Sequence, residues 1–264
     1  MDDNRGMTTA IDTDKALAVA TEAVRRAGKI LLDLSDTSLR VLSETGHDIK
    51  LEADRKSEDA ILQFLAAEMP LPVLTEESGE HGIAEDTRAM WVVDPLDGTF
   101  NYARRLPLCC SCVGLWADGA PRVGAVYNFF TDELFTGIAG RGAWLNGRPI
   151  RASGIREVAR AALATGFPTY ADHSDKALRD FFERVKSFKK IRMIGTAALA
   201  GVFAACGRVD AYREKDIWLW DVAAAAAVAA GAGAKVSVRP GTVGKWSREV
   251  IFASSDEVFA ALAD

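Results

Sequence analysis

The stretch Trp91-Val92-Val93-Asp94-Pro95-Leu96-Asp97-Gly98-Thr99 joins an apolar run to a turn that carries two carboxylates. The run has the length and the β-branched content of a buried strand, and it ends at Asp94. Pro95 fixes φ and has no N–H to donate, so the chain turns there. Gly98 relieves crowding where the backbone bends, and it leaves room for a ligand. The stretch therefore predicts a buried strand that delivers acidic side chains to a tight turn.

The two carboxylates of this turn form a candidate cation site. Asp94 and Asp97 are three residues apart, so the turn can direct both toward one point, with the Leu96 carbonyl oxygen between them. Oxygen ligands suit a hard cation such as Mg²⁺. Gly98 and Thr99 would then begin a helix or turn whose free N–H groups can hold a phosphate oxygen. An acidic turn with glycine is also common without any metal, so this stretch alone leaves both interpretations open.

Three further acidic positions lie at the ends of predicted elements. Glu76 follows the short apolar strand 73–75, Asp221 opens an alanine-rich helix, and Asp54 opens a helix that follows a polar segment. An Asp at the start of a helix is often only a cap, and a Glu after a strand is often only a surface residue. Their convergence with the turn at 94–99 would favour a shared metal site.

The apolar periodicity predicts a layered α+β architecture with a largely antiparallel centre. We expect helices over 13–34, from Asp54, and over 174–188, 196–206, 221–232 and 256–263, and strands over 73–75, 90–93, 108–116, 122–130 and 132–137. Thr13 or Asp14 is expected to cap the first helix and Ser255 the last. Residues 35–48 are interpreted as a loop or a mobile hairpin, and residues 1–12 as a disordered tail.

Composition limits the classes of partner. The 264 residues carry 32 basic and 37 acidic side chains, a net charge of −5, and no basic stripe of the kind that a nucleic acid would require. The alanine-rich run 222–234 is too short to span a bilayer, and the N-terminus lacks the apolar core of a signal peptide. We therefore expect a cytoplasmic protein without nucleic-acid or membrane partners. The four cysteines are interpreted as small core residues.

Taken together, these motifs resemble the inositol monophosphatase family. The resemblance runs from about Ala18 to Val250 and is strongest over residues 91–102, with a second signature at 220–224 and further matches at 76–78 and 195–198. It implies a layered αβαβα sandwich of the inositol monophosphatase or sugar phosphatase type. Two tightly packed halves are expected, a metal-binding α+β half at about 13–150 and a C-terminal α/β half at about 151–264. The resemblance also implies a homodimer and inhibition by lithium.

The same resemblance implies a role for each motif residue. The implied metal ligands, for two or three Mg²⁺ ions, are Glu76, Asp94, the Leu96 carbonyl, Asp97 and Asp221. The implied catalytic residues, which order the attacking water, are Glu76, Thr99 and Asp54. The implied substrate contacts are Asp97, Gly98, Thr99, Arg192, Gly195, Thr196, Ala197, Glu214 and Asp221.

Three functions are compatible with this pattern. The first is hydrolysis of a small polyol phosphate, above all inositol 1-phosphate, by water that attacks in line. Histidinol phosphate is a second candidate substrate, because Glu214 suits a hydroxylated or a cationic group equally well. The third is a non-catalytic regulatory or binding protein, which the presence of every motif carboxylate disfavours. Trp218, near the expected site, is interpreted either as core filling or as a residue that shapes the pocket.

Overall fold

Two long helices and a hairpin begin the described part of the chain, which in this computed structural model comprises residues 11–35, 41–45, 48–166 and 174–263. Helix α1 (Thr13–Ser35) is followed by strands β1 (Val41–Thr45) and β2 (Asp48–Leu51), which pair antiparallel, and by α2 (Glu52–Glu68). Of the loop or mobile hairpin expected over residues 35–48, the paired strands of a hairpin are present, while residues 36–40 and 46–47 lie outside the described residues. Most of the expected tail, residues 1–10, lies outside the described residues.

The cap of α1 differs from the sequence prediction. Oδ1 of Asp12 accepts hydrogen bonds from the backbone N–H groups of Asp14 and Lys15, both at 3.0 Å. Asp12 is therefore the capping residue, and the prediction of Thr13 or Asp14 is wrong by one or two positions. The physical reason is that an N-cap oxygen must reach the second or third helical N–H.

The first sheet has eight strands, in the spatial order β10-β9-β8-β7-β6-β5-β3-β4. Its strands are β3 (Val73–Thr75), β4 (Gly79–His81), β5 (Ala89–Asp97), β6 (Cys110–Ala117), β7 (Ala120–Asn128), β8 (Glu133–Ile138), β9 (Gly142–Leu145) and β10 (Arg148–Pro149). β3 and β5 run parallel, and the other neighbours pair antiparallel, which confirms the largely antiparallel centre that the sequence predicted. The short helix α3 (Thr99–Ala103) follows β5.

The second sheet has five strands, in the order β12-β11-β13-β15-β14. They are β11 (Ala162–Thr165), β12 (Lys190–Arg192), β13 (Ala211–Trp218), β14 (Lys235–Pro240) and β15 (Ser247–Ala253). The accompanying helices are the 3₁₀ turn at Val158–Arg160, α4 (Asp175–Val185), α5 (Ala197–Ala205), α6 (Leu219–Gly231) and α7 (Asp256–Ala260). Ser255 caps α7 as predicted, by accepting from the N–H of Val258. None of the five strands was predicted individually.

The helices and sheets stack in five layers. α1 and α2 cover one face of the first sheet, around buried residues such as Ile61 and Trp91. α5 and α6 fill the space between the two sheets. α4 and α7 cover the outer face of the second sheet, through Val185 and Val258. The αβαβα sandwich is therefore confirmed. No helix in the described ranges is both long and apolar enough to cross a membrane.

Helix α6 lies unusually close to the first sheet, because small residues line both surfaces. A Cβ at Gly124 would lie 2.0 Å from the carbonyl oxygen of Ala224, and one at Gly137 would lie 2.6 Å from Cα of Val228. A Cβ at Gly114 would lie 2.9 Å from the backbone nitrogen of Ala224. The alanine-rich composition of α6 therefore serves close packing, and it brings the first turn of this helix against the end of β5.

Candidate active site

Adjacent parallel strands deliver the first two carboxylates. In the β3–β5 ladder Thr75 pairs with Val93, so Glu76, which follows β3, lies beside Asp94. The prediction that the strand ends at Asp94 is wrong, because β5 continues to Asp97 past an irregularity in its pairing with β6. Asp221 approaches from the first turn of α6, where its Oδ2 accepts the N–H of Trp218 at 3.1 Å. It is the third residue of this helix rather than the residue that opens it, because α6 begins at Leu219. Carboxylate oxygens of Glu76, Asp94 and Asp221 all lie within 4.8 Å of one another. These three residues are called the acidic triad below.

The acidic triad is electrostatically strained without a cation. Burial raises the pKa of Asp94 well above its ordinary value, and the nearby carboxylates of Glu76, Asp97 and Asp221 raise it further. Burial likewise raises the pKa of Asp221, with Glu76 and Asp97 as the next causes. Among these causes no positive side chain opposes the repulsion. An all-oxygen donor set with this excess of negative charge fits a hard divalent cation.

Asp97 lies beside the triad and is held from the other half of the protein. Its Oδ2 accepts the backbone N–H of Ala198 at 2.8 Å and the hydroxyl of Thr196, the N-cap residue of α5. Burial raises the pKa of Asp97 to about 6, against the lowering effect of these hydrogen bonds. The predicted ligand Asp97 therefore reaches the same cavity, but it is not one of the three carboxylates within 4.8 Å.

The pair expected to order water lies together. Asp54 is 2% exposed, and its Oδ1 lies 3.3 Å from the Thr99 hydroxyl, which also lies 3.0 Å from the Leu96 carbonyl oxygen. Asp54 is the third residue of α2 rather than the residue that opens it. Gly98 has φ +87°, and a Cβ there would lie 2.9 Å from the carbonyl oxygen of Leu108. Glycine is therefore required at this turn, and α3 begins directly after it, as predicted.

A cavity of about 380 Å³ opens onto these groups from the C-terminal half. It is lined by Glu76, Asp97, Thr165, Gly166, Met193, Ile194, Gly195, Thr196, Ala197, Ala200, Tyr212, Glu214, Asp216, Ile217, Trp218 and Asp221. The predicted contacts Gly195, Thr196 and Ala197 are therefore brought to the cavity. The lining in the described ranges contains five carboxylates and no Lys, Arg or His.

Two predicted substrate contacts differ in their placement. Glu214 is buried in the cavity wall, and the Tyr212 hydroxyl donates to its Oε2 at 2.9 Å. Burial raises the pKa of Glu214 to about 7; the bond from Tyr212 lowers it and the charge of Asp97 raises it. Arg192 is exposed at the end of β12, and its guanidinium donates to the Ile191 carbonyl at 3.0 Å. Arg192 is not among the residues that line the cavity.

Several residues at the site were missed from the sequence. Thr165, Gly166 and Asp216 line the cavity from strands or loops of the second sheet, whose strands carried no clear signal. Asn101 lies within the motif at 91–102, from which no role was predicted for it, and its side chain donates to the carbonyls of Leu108 and Ile194, at 2.7 and 3.0 Å. It thus joins α3 to the loop that carries Gly195. Only the motif context could have indicated it.

The positions of Trp218 and of one histidine complete the description of the cavity. Trp218 lines the cavity and stacks on Trp220, with ring centroids 5.2 Å apart and planes 17° from parallel. It therefore shapes the pocket rather than the core alone. Among the histidines, His81 lies on β4 with Nε2 2.7 Å from the Ser78 hydroxyl, outside the cavity. His47 and His173 lie outside the described residues.

Comparison with known proteins supports this description. A family model described as the inositol monophosphatase family matches residues 12–263. The chain belongs to the inositol monophosphatase family. Members of this family are phosphoric monoester hydrolases, and the chain is an enzyme of that class. The inositol monophosphatase family is also metal-dependent, and the acidic triad is a cluster that could hold such an ion.

Relatives within the inositol monophosphatase family have several names. The chain is 37% identical to the inositol-1-monophosphatase of Synechocystis over 217 residues, which cover 81% of this chain and 75% of the relative. It is 34% identical over 215 residues, 79% of each chain, to the Nus factor SuhB of Salmonella typhimurium. The inositol monophosphatase structure from Anabaena (Nostoc) superposes with a TM-score of 0.82 at 34% identity, over 96% of both chains.

Proposed function

We propose that this enzyme hydrolyses a small polyol phosphate, with inositol 1-phosphate as the first candidate, in a reaction that depends on Mg²⁺. The observation that carries the proposal is the acidic triad, three carboxylates within 4.8 Å of one another. It faces a cavity of about 380 Å³, a size that suits a small substrate. A phosphate group would be repelled by these carboxylates unless cations lay between them.

The residues fit Mg²⁺ as the bound ion. The triad, Asp97 and the Leu96 carbonyl supply only oxygen atoms, which Mg²⁺ prefers to nitrogen or sulfur. When bound, Mg²⁺ offsets the charge of the phosphate, acidifies water and stabilises the departing alkoxide. The presence of two or three ions remains a prediction.

The chain itself would bind and orient the reactants. Glu76 and Thr99 hold the attacking water, and Asp54 orients the Thr99 hydroxyl, to which it lies at 3.3 Å. The N–H groups at Gly98 and Thr99 bind phosphate oxygens, and the segment 195–197 contacts the substrate from the opposite side. Glu214 accepts a hydrogen bond from a hydroxyl of the leaving alcohol. Arg192, which does not line the cavity, contacts the substrate from outside it. Water attacks the phosphorus in line, so no phosphoenzyme forms.

A phosphate-release screen with Mg²⁺ tests this function. The panel comprises inositol 1-phosphate, histidinol phosphate, fructose 1,6-bisphosphate, adenosine 3′,5′-bisphosphate and glycerol 2-phosphate. We expect inositol 1-phosphate to have the highest kcat/KM and excess chelator to abolish release. A strong preference for a bisphosphate, or full activity in chelator, would contradict the proposal. A folded protein without turnover on any monoester would favour the non-catalytic alternative, which the complete set of carboxylates disfavours.

Histidinol phosphate is the second candidate, because strand β13 lines the cavity with both carboxylates and an indole. It contributes Glu214, Asp216 and Trp218, and no basic side chain accompanies them among the lining residues described. Such a wall suits a cationic or aromatic alcohol as well as a polyol, through attraction to the acids and contact with the indole.

Trp218→Leu separates the two substrates. If the indole contacts an imidazole ring, this change should raise KM for histidinol phosphate about tenfold, the size of one contact between aromatic rings. KM for inositol 1-phosphate should change less than about threefold. Steady-state kinetics on both substrates measures the two KM values, and equal changes in both would remove the case for histidinol phosphate.

A homodimer, lithium inhibition and a cytoplasmic location also remain predictions for this chain.

A further inference from the structure

Glu58 is a buried carboxylate that is neither part of the cavity lining nor a member of the acidic triad. It lies on α2, and only 4% of its surface is exposed. Its Oε1 accepts the Thr75 hydroxyl at 2.5 Å and the backbone N–H of Ser78 at 3.2 Å. Burial of a charged group is costly unless hydrogen bonds compensate for it. Here both donors belong to one short segment of the chain, residues 75–78, so Glu58 fixes the position of that segment.

That segment carries Glu76. Thr75 is the last residue of β3, residues 76–78 form a turn, and β4 begins at Gly79. Glu58 therefore holds the chain at the residue before Glu76 and again at the second residue after it. A turn tied at both ends to a packed helix has little freedom to move. The two bonds therefore fix the backbone from which the Glu76 side chain reaches Asp94 and Asp221.

The same face of α2 fixes a second part of the site. Asp54 lies four residues before Glu58, so the two side chains lie on one face of the helix. Asp54 is also buried, and it bonds the Thr99 hydroxyl at 3.3 Å. α2 packs in turn against α1, through buried Ile61 and Leu65. One helix therefore supports the turn that carries Glu76 and the turn that carries Thr99.

We propose that Glu58 is a positioning residue, which pre-organises Glu76 to bind Mg²⁺ by fixing the 75–78 turn. The proposal rests on the proposed function, because it takes Glu76 as a ligand of the ion. Outer partners that orient metal ligands commonly contribute about 10- to 100-fold to metal affinity. Glu58 acts in this way through backbone and hydroxyl bonds rather than through a bond to the ligand itself.

Four variants test the positioning role. Glu58→Met keeps the length of the side chain and removes the acceptor, whereas Glu58→Gln removes the charge and keeps one acceptor oxygen. Thr75→Val removes the hydroxyl that donates to Glu58. Asp59→Asn is the matched control, because Asp59 is the next residue of α2 and is exposed. The Kd for MgCl₂ alone is measured by titration calorimetry, the Mg²⁺ needed for half-maximal hydrolysis by kinetics, and folding by circular dichroism in chelator.

We expect Glu58→Met to raise the Kd for Mg²⁺ at least about tenfold, and Glu58→Gln and Asp59→Asn to change it less than about threefold. Thr75→Val should weaken binding in the same direction, and the Glu58→Met/Thr75→Val double variant should lose less than the product of the two single effects. If Glu58→Met fails to fold, Thr75→Val carries the test.

Two outcomes would overturn the positioning role alone. One is a parent enzyme that binds Mg²⁺ while Glu58→Met and Thr75→Val bind it equally well. The other is a loss in Glu58→Gln as large as that in Glu58→Met, which would assign the effect to charge rather than to the hydrogen bonds. A parent protein that binds no Mg²⁺ would overturn the proposed function and this proposal together.

Discussion

At the scale of single residues, the site is built from carboxylates that repel one another. Asp94 is 1% exposed, and its pKa is raised by burial and by Glu76, Asp97 and Asp221. A folded protein tolerates such a group only if something offsets the repulsion, and a bound cation does so. Asp94 should therefore favour metal binding and oppose metal-free stability at the same time.

The Asp94→Asn variant tests this double effect. We expect kcat/KM to fall at least about a thousandfold, because a metal contributes several kcal/mol to stabilisation of the transition state. In chelator, the Tm should rise, since one buried charge is removed from the cluster. Phosphate release and thermal denaturation measure the two effects. Asp86→Asn, at an exposed position before β5, should change neither. Undiminished turnover in Asp94→Asn would contradict the site.

At the scale of elements, helix α6 brings Asp221 to the carboxylates of the first sheet. It carries Asp221 in its first turn and crosses the first sheet at Gly114, Gly124 and Gly137. A side chain at any of these glycines would push the helix away from the sheet. The close packing of the α6 alanines on the glycines of the sheet therefore sets the position of Asp221.

Gly124→Ala tests this close packing by the sign of its effect on the free energy of unfolding. In an ordinary strand, replacement of glycine by alanine stabilises by about 0.5–1 kcal/mol. Here the new Cβ would lie 2.0 Å from the Ala224 carbonyl oxygen, so we expect a loss of about 3 kcal/mol or more in the free energy of unfolding. Urea denaturation measures it. A variant as stable as the parent would mean that α6 does not lie this close to the sheet.

The elements also indicate how far the sequence could be interpreted. Strand β5, α1, α5 and α6 were predicted because their apolar periods are long or their caps are clear. The strands of the second sheet were not, for two physical reasons. β11 reads Ala-Leu-Ala-Thr and is too short and too small to have a period, and β13 contains the run Arg213-Glu214-Lys215-Asp216, which resembles a loop. Both strands are stabilised by their neighbours in the sheet.

The residues of the site also divide into those that the sequence could predict and those that it could not. Glu76, Asp94 and Asp221 could be proposed from the sequence because each lies in a recognisable motif near the boundary of a predicted element. Glu58 could not, because a Glu within a polar helix is usually exposed, and only the tertiary structure brings Thr75 and Ser78 to it. Asp216 was hidden for the same reason, since its position in the cavity depends on an unpredicted strand.

At the scale of the whole molecule, stability and metal binding are linked through pH. The folded-state pKa of Asp97 is about 6 against an ordinary 3.8, and the pKa values of Asp94 and Asp221 are raised well above 3.8. At these three positions the folded, metal-free protein therefore binds more protons than the unfolded chain. Their contribution to stability is fully present below about pH 4 and is lost as the pH rises through about 6 for Asp97 and through the raised pKa values of Asp94 and Asp221.

Mg²⁺ should replace those protons as the stabilising charge. We expect saturating MgCl₂ to raise the Tm more at about pH 8 than at about pH 5.5, because protons compete with the ion at the lower pH. Thermal denaturation in chelator and in MgCl₂ at both pH values measures the difference. An equal or larger gain at the lower pH would exclude the raised carboxylates as the origin of the linkage.

The central claim is that carboxylates from both halves of the chain converge on one ion. A crystal soaked in MnCl₂ tests it directly, since Mn²⁺ takes the same oxygen ligands as Mg²⁺ and has a measurable anomalous signal. The account predicts an anomalous peak roughly 2.0–2.3 Å from oxygens of Glu76, Asp94 and Asp221. An active enzyme whose crystals bind Mn²⁺ only elsewhere would contradict it.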